Sequence, residues 1–577
     1  MPPTYRTTTS SVLVIGTGAA GLRAAIAAMR AGVQARVLGK RPELDAHTVL
    51  ASGGINAALG TRDPEDSWEQ HFADTLREGY FLGNPRMVEI MVRESPDAVR
   101  ELAAWGCVFA RTEDGRLDQR FFGAHRWRRT CYAGDYTGRA ILRTVADKAT
   151  ELGIPVEDDQ YVSRLLVADG SCFGALAFDL HTGERAVHLA DAVVLATGGH
   201  TRIWRRSSSR RDENYGDGMR LALEASCRLM DMELVQFHPT GMVHPEEAAG
   251  MLVTEAVRGE GGILTNALGE RFMERYDPER LELSSRDRVS LANYTEIAEG
   301  RGGPHGGVFL DISHRPKSDI AEKLPRMYRQ FIEWQMLDMS REPMEVAPTA
   351  HYSMGGIVVD PQTHATDVRG LYAAGECVGG LHGANRLGGN SLGEALISGK
   401  RAGEAAAAFS VESEVFNRSR RAIGEALDEL DELTRPGEEL GRPLQRRLRD
   451  LMWGKCGVVR SEDGLRDGLR ELASIREASA GVDVRPGAEG WADLATALDL
   501  RAGLVAAEAT LRGAVERRET RGSQIRTDYP ELDSSLQVNF HVDERMEPWP
   551  VAVPPVPDEL RGWGERPLEV TAERLLE

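Results

Sequence analysis

The residues Gly16-Thr17-Gly18-Ala19-Ala20-Gly21 constrain this chain most. They form a GxGxxG run between a short apolar stretch, Val12–Ile15, and an Ala-rich stretch, Gly21–Ala31, with a second apolar stretch, Ala35–Leu38, behind them. That order predicts a strand, a helix and a second strand, a β-α-β unit. In such a unit the first glycine makes the turn and the second lets the backbone approach a pyrophosphate. The third packs helix against sheet, and the helix N-terminus faces the negative charge. A dinucleotide is therefore the expected ligand. The acidic residue that usually meets the ribose about 20 residues later is missing, because the second strand runs into Leu38-Gly39-Lys40. A generic nicotinamide nucleotide fits less well for that reason.

Glycine clusters recur at 16–21, 53–60, 198–218, 259–262, 300–307, 355–356 and 375–403. Such clusters mark tight turns or close approach of backbone to a ligand, so many distant segments are expected to touch one large molecule. Val193–Leu195 runs into Ala196-Thr197-Gly198-Gly199, and Gly370–Ala374 runs into Gly375-Glu376 in the same way. Strands of one nucleotide-binding sheet thus flank a long intervening stretch. The expected organisation is a discontinuous nucleotide-binding domain (1–235 and 351–410) with a capping domain inserted at 236–350. Leucines and isoleucines at helical spacing (Ile423, Leu427, Leu430, Leu433; Leu444, Leu448, Leu451; Leu494, Leu498) predict a helical domain over 411–516. The remainder, 517–577, carries Pro548, Pro550, Pro554, Pro555 and Pro557 and reads as an extended tail.

Composition removes other classes. Lys and Arg total 70 and Asp and Glu 89, a net charge of −19. No nucleic-acid partner is expected on that balance, because such binding leans on a basic surface. No apolar run approaches the ~18 residues that suggest a membrane span. The six cysteines are scattered without a CxxC spacing, so no iron–sulfur cluster or other metal is expected within the chain. They are few, as in a reducing compartment, and the N-terminal residues lack an apolar leader or a twin-arginine pair.

The next segments identify a family resemblance. Asp45-Ala46-His47-Thr48 precedes Ser52-Gly53-Gly54-Ile55-Asn56-Ala57-Ala58. It resembles the covalent flavin segment of succinate dehydrogenase and fumarate reductase flavoprotein subunits, with Ser52 where many members have Gln. Further matching segments follow in order: Arg129-Thr130-Cys131, Gly216-Asp217-Gly218, Gln236-Phe237-His238-Pro239-Thr240 and Leu252-Val253-Thr254-Glu255 with Arg258. Ser285-Arg286-Asp287, His351-Tyr352, Gly375-Glu376 and His382 through Ser391 complete the series, and Glu519–Gly522 resembles the family's C-terminal signature.

The resemblance implies an α/β fold: a Rossmann-like FAD-binding domain with an inserted α+β capping domain, then a helical domain and an extended C-terminal tail. It implies FAD, covalent through His47. The implied cofactor contacts are Gly16, Gly18, Ala19, Ala20, Gly21, Lys40, Thr48, Ser52, Gly53, Gly54, Asp217, Glu376, Asn390, Ser391 and Leu392. A helix opening at Ser391-Leu392 would stabilise negative charge on the reduced flavin. A four-carbon dicarboxylate such as succinate or fumarate needs two anion sites; Arg386 with His351 suits one end, and His238 with Thr254 the other. The implied acid/base is Arg286, with Glu255 and Arg258 as its proton path. Membrane anchor subunits together with an iron–sulfur subunit would be the partners, placing the chain peripherally on the cytoplasmic face of the inner (plasma) membrane. Two alternatives stand beside this. One is a stand-alone flavoenzyme such as L-aspartate oxidase or a soluble fumarate reductase, whose flavin is not tethered and against which His47 argues. The other is a non-catalytic flavin-binding subunit, whose expected mark is loss of the Arg286–Glu255–Arg258 set. Among the other histidines only His382 is expected near the flavin.

Overall fold

The computed structural model describes residues 5–122, 124–413, 417–485 and 490–564. The end of the expected tail, from 565 on, lies outside the described residues, as do parts of the nucleotide-binding and helical stretches. A seven-stranded sheet organises the first half of the chain. Strand β1, Tyr5–Ile15, lies between β2, Ala35–Leu38, and Arg185–Leu195, parallel to both. Ser171–Asp179 and Gln160–Ala168 extend the sheet antiparallel, and Leu371–Ala373 adds a parallel strand against Arg185–Leu195. Strand β1 is longer than its apolar run. Its outer half, Tyr5 to Ser10, is polar but pairs residue for residue with 185–190, and threonine tolerates a strand well.

Helix α1, Ala19–Arg30, begins two residues before the expected Gly21 and uses Gly18 as its cap. Gly16 has φ +123°, and a Cβ there would fall 2.1 Å from the Ala196 carbonyl oxygen. Only glycine lets the turn lie against the neighbouring strand in this way. A 23-residue helix, Asn390–Glu412, crosses the expected boundary at 410 and packs on α1. Its Gly399 and Gly403 meet α1 backbone directly, since a Cβ would come within 2.3 and 2.2 Å of the Ala20 and Ala24 carbonyl oxygens.

The inserted stretch builds its own four-stranded antiparallel sheet in the order Val235–Met242, Met344–Ser353, Val308–Asp311, Ile263–Thr265. Helix Arg286–Glu296 packs on it, and its core includes Met242, Val257, Leu264, Phe272, Val289 and Phe331. Between residues 412 and 517, the described residues form four helices: Arg420–Leu433, Gly441–Lys455, Glu462–Ser479 and Ala492–Glu516. The third buries Leu465, Leu472 and Ile475, a stripe that the periodicity noted above does not include.

The C-terminal region is extended, but it is not loose. Val538–Val542 and Trp549–Ala552 pair with each other and join Leu229–Met230 and Gly356–Ile357 in a sheet. Pro550 sits on the terminal strand, where a missing N–H costs nothing. The link before these strands is tied down by ions. Arg517, fully buried, donates to Glu233 at 2.7 Å, Asp231 at 3.2 Å and Glu519 at 3.3 Å. Removing one partner of a buried ion network strands the others without compensation, at about 3–5 kcal/mol. Arg517→Ala is therefore expected to lower the urea midpoint by a corresponding amount and Arg517→Lys by less; equal midpoints for wild type and Arg517→Ala would refute this anchoring role.

Candidate active site

One cavity of about 800 Å³ collects nearly all the expected residues. At one end lie Gly16, Gly18, Ala19 and Ala20 with Lys40 and Asp217. The helix starting at Ala19 carries no side-chain cap at Gly18, so its N-terminal dipole faces the cavity. Thr48 Oγ accepts the Ala19 N–H at 3.1 Å, which draws the flavin segment onto the GxGxxG turn. Gly21 does not line the cavity; it packs against the Gly16 carbonyl instead. Lys40 donates to Asp499 at 2.6 Å and Asp217 at 3.3 Å. Burial alone would lower the Lys40 pKa, but the two carboxylates outweigh it and hold the ammonium charged. Burial pushes Asp499 up to about 7. Asp499 comes from the helix Ala492–Glu516, so the helical stretch reaches the nucleotide end of the cavity.

His47, Thr48, Ser52, Gly53 and Gly54 form the middle of the wall. His47 Nδ1 is bonded to Glu213 at 2.8 Å, so Nε2 is the ring nitrogen left over. Burial would depress the imidazole pKa, yet Glu213 raises it above its ordinary value. Ser52 Oγ accepts from Arg326 at 2.9 Å. Glu376 accepts the Ser353 N–H at 3.0 Å, and burial pushes its carboxyl up to about 7. Ser391 and Leu392 line the far wall at the start of the second long helix, which is capped by Gly389 without a side-chain bond. Asn390 does not face the cavity. Its side chain is held by Asn56 at 2.7 Å, His71 at 2.8 Å and Thr75 at 3.0 Å. A helix turns by about 100° per residue, so Asn390 points away from the wall that Ser391 lines and is not among the cavity residues. His382 also stands back from the cavity, bonded to Glu394 at 3.0 Å behind Tyr352.

These features fit a flavin dinucleotide. Two helix starts with glycine at the cap position address an elongated space, and four buried donors of lining residues, Thr197 Oγ, Arg202 Nε, Arg386 Nε and Arg449 Nε, have no hydrogen-bond partner among the described residues.

Beside that space stands a cluster of cations. Arg286 donates Nε to Glu255 at 3.0 Å and Nη1 to Gln236 Oε1 at 2.9 Å. Arg386 donates Nη2 to the same Gln236 oxygen at 3.0 Å and stacks 4.3 Å from the Tyr352 ring centroid. Arg258 is fully buried one layer behind, 3.7 Å from Glu255, with Nη1 donating to the Glu282 carbonyl. The acids nearest these arginines in sequence are engaged elsewhere: Glu260 meets Lys323, and Asp287 accepts from Tyr80 at 2.6 Å and Asn385 at 3.0 Å. The His238 and His351 rings lie 5.2 Å apart, and Ser208 Oγ bonds His351 Nδ1 at 2.9 Å. Thr254 lines the same end. Burial, reinforced by Arg286, pushes both histidines well below 6.5 and lowers Arg386 to about 10. Burial also lowers Arg258. The space is thus cationic and rich in hydrogen-bond donors, as a dicarboxylate requires.

Several residues here carry no individual signal in the sequence. Gln236 and Tyr352 adjoin His238 and His351 in segments that resemble the family. Ser208 and Glu213 lie within the glycine cluster at 198–218, which marks the segment and not the side chain, and Asp499 lies on a distant helix that only folding brings in.

Comparison with known proteins agrees with this geometry. A family model described as "FAD binding domain" matches residues 11–392, and one described as "Fumarate reductase flavoprotein C-term" matches 445–547. The chain is 42% identical to a subunit of the fumarate reductase (CoM/CoB) of Methanothermobacter marburgensis, over 93% of this chain and 97% of that one. It is 37% identical to the succinate dehydrogenase flavoprotein subunit of Rickettsia conorii, with 90% of each chain covered. Among solved structures, the E. coli quinol fumarate reductase FrdA superposes with a TM-score of 0.90 at 32% identity, covering 97% of this chain and 100% of that one.

Gln236 Oε1 accepts from both site arginines. A lost bond to a charged group costs about 1–3 kcal/mol, so Gln236→Leu is expected to weaken binding of a small dicarboxylate such as malonate by roughly tenfold or more. Calorimetric titration of the flavin-loaded protein checks this; unchanged affinity would mean that the arginines hold their places without it.

Proposed function

Since the chain belongs to the succinate dehydrogenase and fumarate reductase flavoprotein family, we propose that it interconverts succinate and fumarate on FAD tethered through His47, passing electrons to a partner iron–sulfur subunit. The observation that carries this reading is the Arg286–Glu255–Arg258 line beside the dinucleotide cavity, with spacings of 3.0 and 3.7 Å. When bound, FAD supplies a two-electron acceptor or donor of hydride. The chain's own residues do the rest. Arg386 and His351 hold one carboxylate of the substrate, and His238 and Thr254 the other. Arg286 moves a proton to or from the neighbouring substrate carbon.

An arginine is a poor base in water, since its pKa exceeds ~12. Here Glu255 accepts from the Arg286 Nε at 3.0 Å and lies 3.7 Å from Arg258, which gives the proton a way out. Glu213 supports the tether, because it fixes the His47 ring through Nδ1 and leaves Nε2 for the flavin. No helix among the described residues is long and apolar enough to cross a membrane. Membrane anchor subunits would therefore hold the complex, with this chain peripheral on the cytoplasmic face of the inner (plasma) membrane.

Acid precipitation of the purified protein is expected to leave flavin in the pellet, and His47→Ser to release it. Complete release from wild type would sink the tether and favour a stand-alone flavoenzyme. Acid/base help contributes about 10²–10⁴-fold, so Arg286→Ala is expected to lose at least that in fumarate reduction with a dye donor. Glu255→Gln should slow turnover while malonate affinity stays near wild type. If Arg286→Ala changes affinity alone and keeps its turnover, the proton comes from elsewhere.

A further inference from the structure

A second cluster of chemistry-bearing side chains lies at the outer edge of the capping sheet. His244 follows the strand Val235–Met242 by two residues, Glu345 lies on Met344–Ser353, and His305 lies in the loop before Val308–Asp311. One ligand-capable atom from each lies within 4.8 Å of the other two. The loop is built to bring them together. Glu345 Oε1 accepts the N–H groups of His305 and Gly307, both at 2.9 Å, and Oε2 meets His305 Nδ1 at 2.7 Å. Gly303 and Gly307 let the loop lie flat on Glu345, since a Cβ at either would come within 2.9 Å of that side chain. The His244 and His305 rings stack at 3.9 Å, and the His244 carbonyl is held by Gln335 Nε2 at 2.5 Å.

An ion pair between His305 and Glu345 accounts for two of these groups. It does not account for His244, whose ring makes no hydrogen bond among the described residues. We propose that His244, His305 and Glu345 bind a divalent transition-metal ion of the Zn²⁺, Co²⁺ or Ni²⁺ class. Two imidazoles and one carboxylate suit these ions, with water completing the shell. Bonds of ~2.0–2.2 Å place tetrahedral ligand atoms roughly 3.4 Å apart. Closing from 4.8 Å needs a small swing of His305, whose side chain is 48% exposed. Arg206 is the nearby cation, and it is turned to the Gly306 carbonyl at 3.3 Å and to the Trp453 ring.

The site is not part of the reaction centre. Six residues separate His238 from His244 and Glu345 from His351 along the paired strands, or about 20 Å at strand rise. A bound ion would instead pin the 302–307 loop, which continues from the helix carrying Arg286, to the outer ends of the strands carrying His238 and His351.

The test uses the full-length flavin-loaded protein, stripped with a chelator and then equilibrated with micromolar Zn²⁺ or Co²⁺. Bound metal is measured by elemental analysis after equilibrium dialysis, and hydrogen exchange is followed across the 302–307 loop. About one equivalent is expected, with slower exchange in the loop. His244→Ala, His305→Ala and Glu345→Gln are each expected to weaken binding by roughly 10–100-fold or more. His305→Ala changes a half-exposed residue, so a folded, flavin-loaded variant is available for comparison. No binding by wild type at micromolar metal would overturn the site, as would equal binding by wild type and His305→Ala.

Discussion

Inside a chain of net charge −19, Arg286 and Arg386 stand joined through a single oxygen, Oε1 of Gln236. Two guanidinium groups taken out of water repel each other, and a neutral amide oxygen offsets only part of that cost. Glu255 supplies a nearby full negative charge, shared with Arg258. The cluster is therefore left short of anions, and a dianionic ligand would complete it. Burial, and after it the neighbouring Arg286, depresses His238 and His351 and lowers Arg386.

The architecture around this cluster follows from holding it in place. Gln236 and His238 come from one strand of the capping sheet, His351 from the strand paired to it, and Arg286 from the first turn of a helix packed on that sheet. Arg386 alone comes from the Gly-rich loop ahead of the helix that packs on α1. The side chains proposed to hold the substrate thus come from two parts of the chain, and a dicarboxylate bound as proposed would couple the cap to the nucleotide sheet through charge.

Distant segments lock the rest. The helical stretch reaches the cavity through Asp499, which holds Lys40 together with Asp217. The C-terminal stretch is fastened to the segment ahead of the His238 strand through Arg517, Asp231 and Glu233 and through a strand pairing with Leu229–Met230. Each contact buries charge, and each is satisfied by partners from far along the chain, so these segments are parts of the site's frame.

The sequence by itself determined the β-α-β unit and the glycine turn ahead of its helix, which follow from local rules: glycine where backbone meets backbone, and apolar periodicity. The cationic residues expected around a substrate came instead from the resemblance of whole segments to a family. The true length of β1 depended on a partner strand, which rescues a polar stretch no periodicity would have selected. The turning of Asn390 away from the cavity depended on His71, Asn56 and Thr75. The pairing of Glu213 with His47, of Asp499 with Lys40, and the meeting of His244 with His305 and Glu345 were decided only by the tertiary structure. The physical reason is the same in each case: a hydrogen bond or ion pair acts over about 3 Å in space, and sequence spacing carries no measure of that distance once the chain has folded back on itself.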